Sequence, residues 1–327
     1  MRIVFMGTPS FAVPSLEMLV KEGYEIAAVV TQPDRPKGRG NKLTPPPVKD
    51  CAQKYGIKVL QPEKLKGTVF LEELRQIAPD LMVTAAYGKI LPADVLAVPR
   101  MGCVNVHGSL LPRYRGAAPI QWAVINGESV TGITTMLTDI GMDTGDMLLK
   151  SEIPIDNEIT YGELYDRLSL LGAEVLKETL KRLENSTLER IPQNAADATY
   201  APMINKEVGL IDWARTSQQV HNLVRGTDPW PGAYTFYNGD RMRVWKTQVL
   251  DGKYGGPLPP QKTSALLEGN PLPVVPGTIV HVDKDGPVVA TESGFIKILE
   301  LQFDSGKRMP ASEYLRGHRL EEGVILI

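Results

Sequence analysis

Three polar side chains in the middle of the chain, Asn105, His107 and Asp143, have the chemical types that acyl transfer to an amine requires. Asn105 and His107 lie in one apolar, β-branched run with a single residue between them, so in a strand both side chains project from the same face. Gly108 ends that run and places His107 at a strand end, where open α/β sheets bind their ligands. Asp143 follows in a loop flanked by glycines, which allows its carboxylate to approach the same place.

The chemistry of amine attack on an acyl carbon explains why these three types belong together. The attack produces an oxyanion, which an Asn amide or an imidazolium stabilises by donating a hydrogen bond. The amine must lose a proton and the departing nitrogen must gain one, which suits a histidine with a carboxylate partner. A carboxylate beside an imidazole also stabilises its protonated form. Spacing alone leaves open that His107 is a satisfied structural histidine, that Asn105 caps a turn and that Asp143 is a turn residue.

Length and composition indicate a two-domain protein of the cytoplasm. A chain of 327 residues with 43% hydrophobic and 23% charged residues has enough material for two cores. The net charge of -2 argues against a general nucleic-acid coat but permits a local basic patch. Two cysteines form no disulfide framework, which fits a reducing compartment. The apolar run of residues 3–6 is too short for a secretory signal, and no segment approaches the roughly 18 apolar residues of a membrane span.

Several common motifs are absent from the sequence. The first apolar run is followed by Gly-Thr-Pro rather than by a Gly-x-Gly-x-x-Gly turn, and no Gly-Lys-Ser/Thr phosphate loop occurs, so neither a nicotinamide cofactor nor ATP is indicated. Ser109 lacks the glycine pattern of the serine-hydrolase elbow. The four histidines are scattered and no Cys/His pair has ligand spacing, so no metal site is predicted.

Alternating apolar runs and amphipathic stretches predict a doubly wound, mostly parallel α/β domain over residues 1–188, with an antiparallel hairpin at its edge. The predicted strands are 2–6, 25–30, 57–60 and 80–85, and the hairpin pairs 130–137 with 147–155. The first predicted helix has Ser10 as its N-cap. Further helices are predicted at 48–55, 69–77, 117–125 and 160–183. Pro14 is tolerated because it falls in the first turn of its helix.

The remainder of the chain has a different character. A polar, irregular stretch predicts a linker over residues 189–206, and residues 207–327 form a second predicted domain. After one helix at 217–224, short strands predict a small β barrel or sandwich, with an exposed Pro- and Gly-rich loop at 251–276. These strands are 233–237, 243–249, 277–282, 288–291 and 295–301.

Two groups of basic residues are candidates for binding nucleic acid. The stretch 31–47 has no hydrophobic period and is longer than a usual βα connection, and Asp34 alone opposes its four bases, which are Arg35, Lys37, Arg39 and Lys42. In the second domain Arg241 and Arg243 share a strand face, with Lys246 nearby. A charged loop is commonly just solvated, so this alternative stays open.

Two motifs resemble the signatures of the folate-dependent formyltransferase family. They are Asn-Val-His-Gly-Ser-Leu-Leu-Pro at 105–112 and Gly-Met-Asp-Thr-Gly-Asp-Met at 141–147. The similarity extends to Gly-Thr-Pro at 7–9, Ala-Tyr-Gly at 86–88 and the segments 31–36 and 115–120, and covers essentially the whole chain. The 31–47 loop and the C-terminal β domain resemble those of the members that modify tRNA.

The resemblance implies transfer of a formyl group from 10-formyltetrahydrofolate to the α-amino group of initiator methionyl-tRNA, by a monomer without a metal. It implies a formyltransferase-like α/β domain followed by an oligonucleotide-binding-type barrel. It assigns catalysis to Asn105, His107 and Asp143, with tRNA contacts from the basic residues named above and Arg39 foremost. The implied folate-binding residues are Tyr87, Gly88, Ser109, Leu110, Leu111 and Pro112. The alternative that Leu110 or Leu111 belongs to the core stays open, as do a small-molecule amine as the acceptor and a binding module without catalysis.

Overall fold

A computed structural model of the chain describes residues 1–37, 42–67, 69–250, 274–304 and 306–327. Contacts divide the chain into two compact units. The N-terminal unit comprises Met1–Ile120, Val130–Pro154 and Glu163–Met203, and the C-terminal unit comprises Gln121–Ser129, Ile155–Gly162 and Ile204–Ile327. No helix of the described segments is both long and apolar enough to cross a membrane.

The strands in chain order are β1 (Arg2–Gly7), β2 (Glu25–Val30), β3 (Arg35–Lys37), β4 (Lys42–Thr44), β5 (Val59–Leu60), β6 (Leu81–Ala85), β7 (Cys103–His107), β8 (Arg115–Gly116), β9 (Val130–Leu137), β10 (Met147–Pro154), β11 (Tyr200–Ala201), β12 (Ala233–Tyr237), β13 (Asp240–Leu250), β14 (Ile279–Val282), β15 (Pro287–Ala290), β16 (Phe295–Phe303) and β17 (Met309–Pro310). The α-helices are α1 (Val13–Lys21), α2 (Pro47–Lys54), α3 (Val69–Ile77), α4 (Ala93–Leu96), α5 (Pro119–Ile125), α6 (Tyr161–Glu184), α7 (Ser217–Thr227) and α8 (Ala311–Tyr314).

The N-terminal unit is built on a seven-stranded sheet with the order β10-β9-β7-β6-β1-β2-β5. Strands β7, β6, β1, β2 and β5 are neighbours in that order and pair in parallel. Strand β9 pairs antiparallel with β7, and β10 pairs antiparallel with β9. Every residue of β6 is buried, as expected for a parallel strand covered on both faces. The predicted doubly wound sheet with an antiparallel edge is therefore confirmed. Because the chain proceeds from β1 outward to β5 and then returns to β6, the direction of winding reverses between β1 and β6.

Helix α1 does not begin as the sequence predicted. Ser10 starts a short 3-10 turn, and the N-cap of α1 is Ala12, which makes no side-chain cap. The reason is the close packing of this turn on the preceding strand, because a Cβ at Gly7 would lie 2.7 Å from the Cβ of Ala12. Pro14 lies in the first turn of the helix, as predicted.

The stretch 31–47 contains more structure than its sequence indicated. Strands β3 and β4 form an antiparallel hairpin in which Arg35 pairs with Thr44 and Lys37 with Lys42. No residue with described burial in these two strands is buried, so the pairing depends on backbone hydrogen bonds and leaves no hydrophobic alternation in the sequence.

The predicted linker belongs to the N-terminal unit as far as Met203. Strand β11 pairs in parallel with β8, and Ile191 forms an isolated bridge with Met147. The segments 121–129 and 155–162, by contrast, cluster with the C-terminal unit. The boundaries at 188 and 207 stay a prediction.

The C-terminal unit is an antiparallel sheet with the order β12-β13-β16-β15-β14, and β17 pairs with β16. The last residues of the chain join its two outer strands. The backbone N–H of Ile279 in β14 donates to Val324 O at 2.8 Å, and the N–H of Phe236 in β12 donates to Ile327 O at 2.9 Å. These bonds close the sheet into the predicted small barrel. Most of the predicted 251–276 loop lies outside the described residues.

Candidate active site

The carboxyl end of β7 holds the first two candidate residues beside β6. Asn105 pairs in register with Thr84, and the Thr84 hydroxyl donates to Asn105 Oδ1 at 2.8 Å. Because that bond occupies the amide oxygen, it leaves Nδ2 to donate to another acceptor. Thr84 is buried and Asn105 half-buried, so the amide is fixed by the core on one side.

His107 is 5% exposed, and each of its ring nitrogens faces a different group. Nε2 lies 2.9 Å from the carbonyl oxygen of Tyr114 and, since a carbonyl only accepts, Nε2 carries a proton. Nδ1 lies 3.7 Å from Asp143 Oδ1. Nδ1 is therefore the ring nitrogen that faces the carboxylate.

Asp143 is held in an unfavourable backbone conformation. Its φ is +53°, in the left-handed region that non-glycine residues rarely adopt. The backbone N–H of Gly116 donates to Asp143 Oδ2 at 2.8 Å, which turns Oδ1 toward His107. The structure thus brings all three predicted catalytic side chains to one end of the sheet.

The glycines around Asp143 fix its loop rather than loosen it. A Cβ at Gly145 would lie 1.8 Å from Leu137 O, so no other residue fits between the loop and β9. At Gly141 a Cβ would meet the Thr144 hydroxyl at 2.0 Å. Glycine allows many backbone conformations, but here close packing restricts the loop to one of them.

Four further residues position this set, and the motif spacing identified none of them: Thr84, Tyr114, Arg115 and Gln193. Gln193 donates to the backbone oxygens of Asp143 and Gly145, each at 2.8 Å. Arg115 donates from Nε and Nη2 to Gln193 Oε1 at 3.0 and 2.8 Å. Two of them had a signal in the sequence, since Thr84 is a polar residue inside a buried strand run and Arg115 begins the family segment 115–120.

The predicted folate-binding segment 109–112 has an inner and an outer side. Ser109 is fully buried, and its hydroxyl donates to Arg113 O at 2.6 Å, so it braces the turn. Leu111 is fully buried against Met136 and Met147, which is the core position that the sequence left open for one of the two leucines.

The outer side of this segment is formed by Leu110 and Pro112, which are half-buried. Leu110 lies over β9, because a Cβ at Gly132 would come within 2.7 Å of Leu110 Cδ2. These two side chains, together with the backbone, are the parts of the segment that a flat apolar ligand can reach.

Tyr87 and Gly88 follow β6 at the same end of the sheet. The Tyr87 ring is 4% exposed, and burial raises the pKa of its phenol to about 12. Its carbonyl accepts from the Thr8 hydroxyl at 3.0 Å and from Gln32 Nε2 at 3.2 Å. Gly88 is exposed with a φ of +84°, which favours glycine. The Tyr87 carbonyl therefore links the segments that follow β1, β2 and β6, and the backbone of Gly88 is exposed next to it.

The predicted basic loop is only partly described. Arg35 and Lys42 are exposed on β3 and β4, and Lys37 lies in β3. Arg39 lies outside the described residues. Asp34, the acid of this loop, is matched by Lys49 Nζ at 2.8 Å, so the hairpin keeps its positive excess.

Arg241 and Arg243 lie on one face of β13, as predicted, but both have partners within the C-terminal unit. The Arg241 guanidinium stacks over the Tyr234 ring, with Cζ 3.9 Å from its centroid. Arg243 pairs with Asp304 at 3.2 Å, and its side chain is 28% exposed. Their charges are less available than those of the hairpin.

No cluster of three or more His, Cys, Asp or Glu side chains able to hold a metal ion occurs within the described ranges. Cys103 is 1% exposed, and burial raises the pKa of its thiol to about 11.

The chain is similar over nearly its whole length to known proteins of one family. The family model described as formyl transferase matches residues 1–180, and that of the formyl transferase C-terminal domain matches residues 203–319. A protein of Acetivibrio thermocellus named methionyl-tRNA formyltransferase is 60% identical over 326 residues, covering 100% of this chain and 99% of the relative. A protein of the same name from Ruminiclostridium cellulolyticum is 59% identical, covering 99% of this chain and 98% of the relative.

Among solved structures, an N-formyltransferase from Helicobacter canadensis, in complex with folinic acid and dTDP-3-aminofucose, superposes with a TM-score of 0.65. It is 20% identical and covers 90% of this chain and 98% of its own, so it supports the fold alone. The two family models and the two relatives confirm the family predicted from the motifs at 105–112 and 141–147. The chain belongs to the formyl transferase family.

Proposed function

We propose that the protein transfers the formyl group of 10-formyltetrahydrofolate to the α-amino group of initiator methionyl-tRNA, which prepares it for translation initiation. The observation that carries this proposal is the similarity over both domains, at 60% identity, to a protein named methionyl-tRNA formyltransferase. The Asn105–His107–Asp143 arrangement supplies the chemistry that such a transfer needs.

The acceptor amine attacks the formyl carbon, a new C–N bond forms, and the formyl oxygen becomes an oxyanion. Asn105 Nδ2 donates to that oxygen, because Thr84 already occupies the amide oxygen. His107 in its protonated form donates from Nδ1, since its Nε2 proton is committed to Tyr114. The charge of the oxyanion is thus met by two hydrogen-bond donors in fixed positions.

Proton movement completes the reaction. The attacking nitrogen becomes cationic and gives a proton to Asp143, and His107 gives its Nδ1 proton to N10 of the folate as the C–N10 bond breaks. Asp143 Oδ1 and His107 Nδ1 lie 3.7 Å apart, and the proton returns from the carboxylate to the imidazole when the two atoms approach to hydrogen-bond distance. No covalent enzyme intermediate is required, because a bound, deprotonated amine is itself a nucleophile.

The two substrates approach different surfaces. Leu110, Pro112 and the exposed backbone at Gly88 offer an apolar wall and polar edges to the folate. The bases of the hairpin region, Arg35, Lys37, Arg39 and Lys42, meet phosphates of the tRNA, and Arg241 and Arg243 add contacts from the C-terminal unit. The proposed working state is a monomer in the cytoplasm.

A transfer assay with labelled formyl donor tests the proposal. Charged initiator methionyl-tRNA is compared with free methionine, with uncharged tRNA and with an amino-sugar nucleotide. We expect label on the charged tRNA only. Label on the amino sugar would assign a small-molecule acceptor to the same site, and no transfer to any amine would leave a binding function without catalysis.

A further inference from the structure

The side chain of Gln193 connects the Asp143 loop to the segment that follows the Ser109–Tyr114 turn. Its Nε2 donates to two backbone oxygens of the loop, those of Asp143 and Gly145, each at 2.8 Å. The first of these oxygens belongs to Asp143 itself, whose φ of +53° is unfavourable, and the second lies two residues further along the loop. A backbone held in such a conformation requires restraint from its surroundings.

The other end of the Gln193 amide faces a buried cation. Arg115 is 5% exposed, and its guanidinium donates through Nε and Nη2 to Gln193 Oε1. The partner it finds among the described residues is this neutral oxygen rather than a carboxylate. Only an amide can accept from a guanidinium at one end and donate to carbonyls at the other, so a glutamine of this length suits both tasks.

The backbone around Gln193 braces the same site. Thr199 O accepts from the N–H of Arg115 at 2.8 Å, and the Thr199 hydroxyl accepts from the N–H of Tyr114 at 2.8 Å. Tyr114 supplies the carbonyl that holds His107 Nε2, and Gly116 supplies the N–H that holds Asp143 Oδ2. Thr199 thus supports the Tyr114–Gly116 backbone, which hydrogen-bonds to His107 and to Asp143.

We propose that Gln193 is a positioning residue that holds the Asp143 carboxylate at its working distance from His107. This inference rests on the proposed transfer of formyl to methionyl-tRNA. Gln193 touches neither substrate nor reacting atoms in this proposal, and it acts through the backbone of the Asp143 loop.

The decisive variant is Gln193→Glu. The carboxylate keeps an acceptor for Arg115, so the buried cation stays paired, but it can no longer donate to the Asp143 and Gly145 oxygens. Gln193→Ala removes both functions and reports their sum. Gln76→Glu is the matched control, since it makes the same amide-to-acid change at an exposed position of α3.

We expect Gln193→Glu to lower kcat by about tenfold to a hundredfold, the effect of displacing a reacting group by roughly 1 Å. The KM for methionyl-tRNA, the affinity for folate and the Tm should stay close to those of the wild type. In the Asp143→Asn background the same substitution should have little further effect, because both changes act on one carboxylate. Gln76→Glu should retain wild-type kcat.

A readout without turnover separates this inference from the proposed function. In histidine-labelled protein, the Nδ1 resonance of His107, assigned by its loss in His107→Gln, should shift in Gln193→Glu and not in Gln76→Glu. An unshifted resonance with kcat within twofold of the wild type would overturn the positioning role, and so would an equal loss in the Asp143→Asn background. A wild-type protein that formylates no amine overturns the proposed function instead, and the resonance then decides the positioning role by itself.

Discussion

Asn105, His107 and Asp143 each accept or donate one hydrogen bond that orients an atom for its proposed role in catalysis. Thr84 fixes which end of the Asn105 amide faces outward, Tyr114 fixes the Nε2 proton of His107, and a backbone N–H fixes the rotation of the Asp143 carboxylate. A catalytic group that is already oriented needs no reorganisation during the reaction, which is how preorganised donors lower a barrier.

Asn105→Ala should lower kcat by about a hundredfold, as the loss of one oxyanion donor does. The KM for folate should change little, because the donor acts mainly on the transition state. Steady-state kinetics of formyl transfer, with the fold verified by circular dichroism, provide the measurement.

Thr84→Val serves as the companion variant, because it leaves Asn105 in place but removes its orienting donor. It should lower kcat in the same direction and by less. Thr31→Val is the matched control, since the Thr31 hydroxyl is buried and finds no hydrogen-bond partner in the described structure. A folded Asn105→Ala protein with unchanged kcat would remove Asn105 from the mechanism.

Among the secondary-structure elements, the hairpin β3–β4 and the closing segment of the barrel are secured in opposite ways. A single acid anchors the start of the hairpin, since Asp34 accepts from Lys49 of α2 and from Gln61, which follows β5. The barrel is closed by backbone bonds from the last residues of the chain and by the burial of Leu326. The hairpin is thus attached through a charged side chain, and the end of the chain through backbone hydrogen bonds and a buried leucine.

The hydrogen bonds from Gln61 and Lys49 hold the pKa of the Asp34 carboxyl below its ordinary value of 3.8. The stabilisation from a lowered acid pKa is fully present above that value and is lost as the pH falls through the lowered pKa. Asp34→Asn should therefore destabilise the protein at neutral pH, and this difference from the wild type should shrink below about pH 4. Urea unfolding of both proteins across the acid range measures it.

Glu63→Gln is the control for the Asp34 variant, because Glu63 is an exposed acid of the same unit. It should leave the unfolding free energy nearly unchanged at every pH. A difference between Asp34→Asn and the wild type that stays constant down to pH 2 would contradict the anchoring role of the carboxylate.

Leu326→Ala should destabilise the C-terminal unit by about 2–5 kcal/mol, the usual range for truncating a buried leucine. Leu326 is 2% exposed within the barrel core, whereas its neighbour Ile325 is 46% exposed. Ile325→Ala is therefore the matched control and should change stability by much less. Urea unfolding followed by circular dichroism compares the two, and equal effects would show that this segment does not complete the core.

At the scale of the whole molecule, the charge is nearly balanced, so any attraction for tRNA must come from local groups. The net charge is -2, yet Arg35 and Lys42 project from a hairpin whose acid is already paired with Lys49. Local positive charge of this kind steers a polyanion without making the protein bind nucleic acid in general.

The double variant Arg35→Ala, Lys42→Ala should raise the KM for methionyl-tRNA and leave folate affinity unchanged. The slope of log affinity against log salt concentration should fall by about one for each phosphate that the variant no longer binds. Lys54→Ala, which removes an exposed base at the end of α2, should leave both quantities unaltered. A weaker folate affinity in the double variant would assign the hairpin a different role.

Sequence alone predicted most strands of the two large sheets, the longer helices and the candidate catalytic residues of this protein. Strands β1, β6 and β9 were predictable because buried runs and β-branched residues produce a local pattern. The shared face of Asn105 and His107 followed from the two-residue period of a strand, and the family motifs added Asp143.

Tertiary structure decided the remainder, because the interactions concerned join residues that are distant in sequence. Gln193 lies in a stretch that is polar and irregular in sequence, and nothing local indicates that its amide reaches the Asp143 loop. The burial of Leu111 rather than Leu110 depends on Met136 and Met147. Closure of the barrel likewise depends on pairing the end of the chain with β12 and β14, an interaction that leaves no periodic signal in the sequence.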